Sequence, residues 1–417
     1  EIWDLTGRLK KLGKHVRTFA RKFEDSIKNM VVPSILFEEF GFQYYGPVNG
    51  HNIEELIELI DNIKDSKFPK LLHVVTVKGK GYVPAESDAT RYHGVSKFDV
   101  DSGKEVTKSK TYSGVFGDAM VEFAEKKKFV CITAAMSAGT GLDRFAEKYP
   151  DRFFDVGIAE QHAVVFASSL ALSATKPVVA IYSTFLQRSY DQLIHDVALQ
   201  NSPVLLALDR AGVVGSDGPT HHGVFDIAYL RHIPTMVISA AKDENELRSL
   251  LWTGISYNDA PFAVRYPRKK VEGVELTEPS EIPIGSWEKL TEGTDGVILA
   301  IGSMVYPALE AVEELKDMGH NLSVINARFI KPIDARMLAE IIGGEPPFIL
   351  TIEEGVLAGG FGSAILEEVG NKVDVRRMGI PDKFVEHGTR NELLSILGLD
   401  KEGIKKKILE IIGGKND

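Results

Sequence analysis

Phe154-Asp155-Val156-Gly157-Ile158-Ala159-Glu160-Gln161-His162 places a carboxylate where a β-strand ends and an apolar helix, Ala163 to Leu172, begins. A strand running into a helix N-terminus is the usual mouth of an α/β site, and the helix dipole favours an acid there. Glu160 has two readings. A glutamate in a first helical turn is more often a cap, and only its neighbours in space can make it a carboxylate with a chemical task.

Outward from this stretch, strands and helices alternate. A helix over 113–126 precedes strands at 129–134, 177–182, 203–209, 234–240 and 261–267, which are rich in Val, Ile and Leu and separated mostly by helical segments. Such strands indicate a mostly parallel sheet covered on both faces. The plan repeats with strands at 296–301, 322–327, 347–352 and 373–377 and helices near 305–318, 332–342, 361–369 and 389–397. Toward the N-terminus, a helix over 53–65, a strand at 71–77 and the turn Lys78-Gly79-Lys80-Gly81-Tyr82 read as the tail of a further unit, followed by a connection over 84–112. The expected fold is α/β, with three doubly wound, mostly parallel-sheet units at 1–110, 111–275 and 276–417, the first incomplete. Residues 1–31 carry a basic amphipathic pattern, read as the solvated face of a helix over a core.

The 417 residues are 44% hydrophobic and 26% charged, with a formal net charge of −10, which suits a globular enzyme and argues against bulk nucleic-acid binding. No run approaches the length of a membrane span and no targeting segment is recognised, so a cytoplasmic enzyme is expected. Cys131, in Phe129-Val130-Cys131-Ile132, reads as a small buried hydrophobe.

Polar clusters fall just past the ends of the expected strands of the middle unit. They are Tyr182-Ser183-Thr184-Phe185-Leu186-Gln187-Arg188, Asp209-Arg210-Ala211-Gly212, the loop Gly215-Ser216-Asp217-Gly218-Pro219-Thr220-His221-His222-Gly223, and Arg265-Tyr266-Pro267-Arg268. Ligands of open parallel sheets bind beyond the carboxyl ends of strands. Singly, Arg210 reads as a partner of Asp209, Arg268 as part of a charge run with Lys269 and Lys270, and Tyr182 and Phe185 as core aromatics. The two histidines lack the helical spacing of a metal pair.

Together with Ala159-Glu160-Gln161-His162, these clusters closely resemble the 1-deoxy-D-xylulose-5-phosphate synthase family, thiamine-diphosphate enzymes of the transketolase superfamily. The resemblance extends to Gly46-Pro47-Val48-Asn49-Gly50-His51, Lys78-Gly79-Lys80-Gly81-Tyr82, Glu353-Glu354-Gly355 and Gly359-Gly360-Phe361-Gly362. It implies a transferase that condenses pyruvate with D-glyceraldehyde 3-phosphate, with loss of CO₂, to 1-deoxy-D-xylulose 5-phosphate, feeding isoprenoid, thiamine and pyridoxal synthesis. It also implies a homodimer.

The resemblance assigns Glu160 to hydrogen-bond the cofactor's pyrimidine and favour its reactive tautomer. Phe185 would stack on that ring, Ile158 would pack near the cofactor and Tyr82 would contribute from the first domain. Arg210 and Arg268 would take the substrate phosphate, while Tyr182, Asp217 and the catalytic His221 would orient hydroxyls or move protons.

The Gly-Asp-Gly motif and the downstream asparagine that bind the cofactor's diphosphate and Mg²⁺ in this family are missing from the sequence. Gly117-Asp118-Ala119 is no substitute. The Mg²⁺ ligands are therefore expected in a segment preceding these residues, and the chain is expected to be a fragment or one partner of a split enzyme. A transketolase-like or keto-acid dehydrogenase E1β-like enzyme, or an inactive fragment, are the alternatives.

Overall fold

The computed structural model describes residues 35–89, 91–93, 95, 97–104 and 110–414, and the chain divides into units 1–108 and 109–417. The basic pattern expected over 1–31 lies outside the described residues. In the first unit, β1 (Gln43–Asn49) pairs in parallel with β2 (Lys70–Val75), and the crossover between them contains helix α1 (Ile53–Ile63). Asn52 starts α1 by accepting from the Glu55 amide at 3.3 Å. Part of the expected 84–112 connection is folded: Val83–Ser87 is a helical turn, and Tyr82 packs against Tyr92 and Phe98.

The second unit holds two sheets. β3 (Val130–Thr133), β4 (Phe153–Asp155), β5 (Pro177–Tyr182), β6 (Leu205–Asp209), β7 (Val237–Ala240) and β8 (Phe262–Arg265) form a parallel array. All but β4 are buried at every position, as continuous apolar runs require when helices cover both faces. The five-stranded sheet contains β9 (Glu288–Lys289), β10 (Val297–Ala300), β11 (Ser323–Asn326), β13 (Ile349–Val356) and β14 (Val375–Ile380). β9 is antiparallel to β11, and the remaining pairs are parallel.

β4, the strand that leads towards Glu160, has three residues, and the sequence pattern misses another strand of that length. β12 (Phe329–Lys331) leaves the third segment and joins the edge of the first array, antiparallel to β7, giving the order β12-β7-β8-β6-β5-β3-β4. Three residues are too few for periodicity to register.

Helix α2 (Tyr112–Lys126) carries Gly117-Asp118-Ala119 in its middle. Gly117 is a packing glycine, since a Cβ there would collide with the Gly141 carbonyl, and Asp118 pairs with Arg144 on the surface. Neither residue is arranged to cradle a phosphate.

Candidate functional site

Strand register brings the clusters together. Tyr182 at the end of β5 lies beside Asp209 at the end of β6, and Leu208 of β6 lies beside Arg265 of β8. The chain turns from β3 out to β4 and returns to the other side of β3 as β5, so these ends flank a topological switch point.

The opening stretch follows β4. The Asp155 carboxylate accepts from the Ala135 amide at 2.8 Å and the Gly157 amide at 2.9 Å. Gly157 sits at φ 71°, where glycine is unstrained, and the chain bends so that Glu160 opens helix α3 (Glu160–Leu172). Ala163, Val164, Ala167 and Ala171 press a small apolar face of α3 into the core.

Glu160 is only 3% exposed and is the first helical residue, after the N-cap Ala159. Its carboxylate pairs with Arg188, whose own side chain is 48% exposed. The cap reading therefore fails. Arg188, absent from the expected site residues, follows Phe185 by one helical turn and links the segment after β5 to Glu160. Ile158, in contrast, is 75% exposed on the turn before Glu160.

Past β5, Tyr182 and Phe185 stack at 5.3 Å, and Phe185 meets the His221 ring edge-on at 5.4 Å. The Arg210 guanidinium covers the Tyr182 ring at 3.8 Å from its centroid. Burial pushes the Tyr182 hydroxyl well above the usual tyrosine range, against the pull of the Arg210 charge. Asp217 joins both arginines, pairing with Arg268 and lying 3.6 Å from Arg210. His221 holds the Thr220 hydroxyl through Nδ1 at 2.9 Å.

Tyr182, Phe185, Arg210, Asp217, His221 and Arg268 thus form one connected cluster. Tyr82 belongs to the first unit, where its hydroxyl donates to the Val100 carbonyl at 2.7 Å.

The loop's two histidines have separate tasks. His222 is buried; its Nδ1 accepts from the Val214 amide at 3.0 Å, so its Nε2–H faces the Glu386 carbonyl at 3.1 Å. His221 is the histidine that faces the aromatic cluster.

Beneath the cluster, Asp209 is fully buried, with the Ser113 side chain and the Arg210 amide beside its carboxylate. Burial pushes its pKa up to about 6, against the opposing pull of the Ser113 side chain and the Arg210 charge. Because the folded value lies above the ordinary one, the stability associated with this shift is full at low pH and is lost as pH rises through about 6. Asp209→Asn is expected to unfold at a higher temperature than the parent near pH 7.5, with the advantage shrinking towards about pH 4. Thermal unfolding across that range checks it.

Residues 108–273 match the family model for the transketolase pyrimidine-binding domain and residues 285–404 that for the transketolase C-terminal domain. Residues 3–76 match the model described as 1-deoxy-D-xylulose-5-phosphate synthase. The chain is 47% identical to the 1-deoxy-D-xylulose-5-phosphate synthase of Carboxydothermus hydrogenoformans over 419 residues, covering 99% of this chain and 67% of that protein. This chain belongs to the 1-deoxy-D-xylulose-5-phosphate synthase family. The Aquifex aeolicus synthase is 52% identical over 94% of this chain and 63% of its own length. The chain thus spans a little under two thirds of several synthases that it matches, with 64% of one Geobacter sulfurreducens enzyme covered.

Among solved structures, a split-gene transketolase described as an inactive beta4 tetramer is 26% identical, with a TM-score of 0.64 over 73% of this chain and 99% of that one. A Pichia stipitis transketolase, at 16% identity and a TM-score of 0.60 over 75% of this chain and 47% of its own, shares the fold.

The synthase family's transketolase-type domains imply dependence on thiamine diphosphate. The residues fit the aminopyrimidine end of that group: a buried carboxylate at a helix start and an aromatic ring on the adjoining segment suit a flat, hydrogen-bonding heterocycle. Among the described residues, no group of three or more His, Cys, Asp or Glu is arranged to hold a metal ion. No helix among them is long and apolar enough to cross a membrane.

Proposed function

We propose that this chain supplies the pyrimidine side and the acceptor side of a site that condenses pyruvate with D-glyceraldehyde 3-phosphate to 1-deoxy-D-xylulose 5-phosphate, releasing CO₂. The carrying observation is the convergence of Arg210 and Arg268 on Asp217, next to the Tyr182–Phe185–His221 aromatic cluster.

When bound, thiamine diphosphate supplies the electron sink for decarboxylation and carbon–carbon bond formation. Glu160 accepts the hydrogen bond that sets the pyrimidine tautomer, and Arg188 keeps its carboxylate oriented. Phe185 offers a ring face to the pyrimidine, with Ile158 and Tyr82 as further cofactor contacts. Arg210 and Arg268 bind the acceptor's phosphate, for which guanidinium has the matching fork. Asp217 holds the two arginines together and, with Tyr182, orients the acceptor's hydroxyls. His221, edge-on to Phe185, exchanges a proton with the substrate oxygen in this proposal.

Magnesium ligands, a homodimeric assembly, a cytoplasmic location and domains at 1–110, 111–275 and 276–417 belong to the same proposal. The split-gene transketolase, described as an inactive tetramer, favours a second reading in which these residues act only alongside a polypeptide carrying the diphosphate-binding motif.

One assay separates the readings. CO₂ release and sugar-phosphate formation are measured with pyruvate, glyceraldehyde 3-phosphate, thiamine diphosphate and Mg²⁺, with and without such a polypeptide. Product without the added polypeptide supports the first reading and product only with it the second; turnover only with ketose donors in place of pyruvate, or none in both mixtures, contradicts the synthase.

Arg268→Ala is expected to raise KM for glyceraldehyde 3-phosphate about 10- to 100-fold, the size of one lost bond between charged groups. KM for pyruvate should move little. Steady-state kinetics with each substrate varied in turn checks the split.

A further inference from the structure

Residues 211–223 carry Asp217 and His221, and their neck is closed by reciprocal bonds: the Gly212 amide donates to the Gly223 carbonyl at 2.7 Å and the Gly223 amide to the Gly212 carbonyl at 2.9 Å. Just before the neck, Arg210 sits at φ 60°. A non-glycine residue persists there only when its surroundings over-determine it.

The over-determination comes from the C-terminal segment. Glu354, at 1% exposure, lies in β13. Its Oε1 accepts from the Val213 amide at 2.6 Å; its Oε2 accepts from the Ser303 hydroxyl and the Arg390 guanidinium, each at 2.5 Å. Charge-assisted bonds of this kind are about twice as strong as neutral ones. The carboxylate also lies directly against Gly212, at φ 85°, where an added side chain would collide with it. The far side of the loop is held as well, through His222 Nε2 and the Glu386 carbonyl at 3.1 Å.

We propose that Glu354 is a positioning residue for the acceptor-phosphate site. By holding the Val213 amide it fixes the turn from which Arg210 is presented, and with it the loop that delivers Asp217 between the two arginines. The inference rests on the assignment of Arg210 and Arg268 to the phosphate. It also gives the C-terminal segment a part in the site although it contributes none of the residues assigned to substrate. Ordinary structural glue would lower stability without altering phosphate recognition.

The test follows backbone amide exchange over residues 211–223 and calorimetric binding of sn-glycerol 3-phosphate in the full chain, comparing the parent with Glu354→Ala, Glu354→Gln and Arg268→Ala. Glu354→Ala is expected to speed loop exchange and weaken binding, each about tenfold. Glu354→Gln retains an acceptor for Val213 and should recover much of both. Should Glu354→Ala fail to fold, Ser303→Ala carries the test, with smaller losses in the same direction.

Unchanged exchange overturns the clamp. Faster exchange with unaltered phosphate binding overturns its positioning role, provided Arg268→Ala has lost affinity. If Arg268→Ala also binds normally, the phosphate assignment itself falls, and the positioning role falls with it.

Discussion

Replacing Glu160 with alanine is expected to lower kcat for sugar-phosphate formation about 10²- to 10⁴-fold, the usual contribution of a positioned acid–base group. Its burial and its pairing with Arg188, away from the helix amides, make the carboxylate available to a ring nitrogen. The same geometry predicts what should stay constant. Loss of a true N-cap would cost about 0.5–2 kcal/mol of stability. Glu160 is not the N-cap residue, and the half-exposed Arg188 can be solvated once its partner is gone, so thermal unfolding should move much less than turnover. Glu160→Gln, similar in shape but without the charge, should be nearly as inactive. A variant that unfolds early yet turns over normally would restore the cap reading.

Asp226→Ala is expected to destabilise the second unit by about 3–5 kcal/mol, the cost of removing one member of a buried ion pair. Arg265 donates to Asp226 at 3.0 and 3.2 Å, and the two side chains are 5% and 0% exposed. Arg265 also donates to the Glu354 carbonyl at 3.2 Å. Left unpaired, its charge has no route to water. Replacing both residues with apolar ones of similar volume should recover much of the loss, because the desolvation penalty disappears with the charge. Chemical denaturation of the single and double variants measures both effects.

These two residues also show where sequence reading stops. Glu160 was found because a strand-to-helix junction is visible in hydrophobic pattern, and so were the long strands: Pro177–Tyr182 has the expected bounds. Arg265 stood in a cluster already noted, and only the family resemblance, not residue type or spacing, separated it from Arg268. Burial separates them: Arg265 points into the interface with β13, whereas Arg268 is part-exposed beside Asp217. His221 and His222 divide in the same way, one towards Phe185 and one towards the Glu386 carbonyl.

Arg188, Asp209 and Glu354 stood in quoted clusters, but nothing local singled them out from their neighbours. Their significance comes from contacts across 28 positions to Glu160, from the depth of β6, and from a reach of 141 positions to Val213. Separations of that kind are fixed by topology, which propensity and spacing do not encode. β12 was missed for the opposite reason: its three residues are too local for a pattern, and its partner lies in another sheet.

The most direct test of the central claim is a crystal structure with thiamine diphosphate, Mg²⁺ and a polypeptide carrying the diphosphate-binding motif. The account predicts the pyrimidine N1′ on the Glu160 carboxylate, with its ring against Phe185. A pyrimidine bound elsewhere, with Glu160 still engaged only by Arg188, would contradict it.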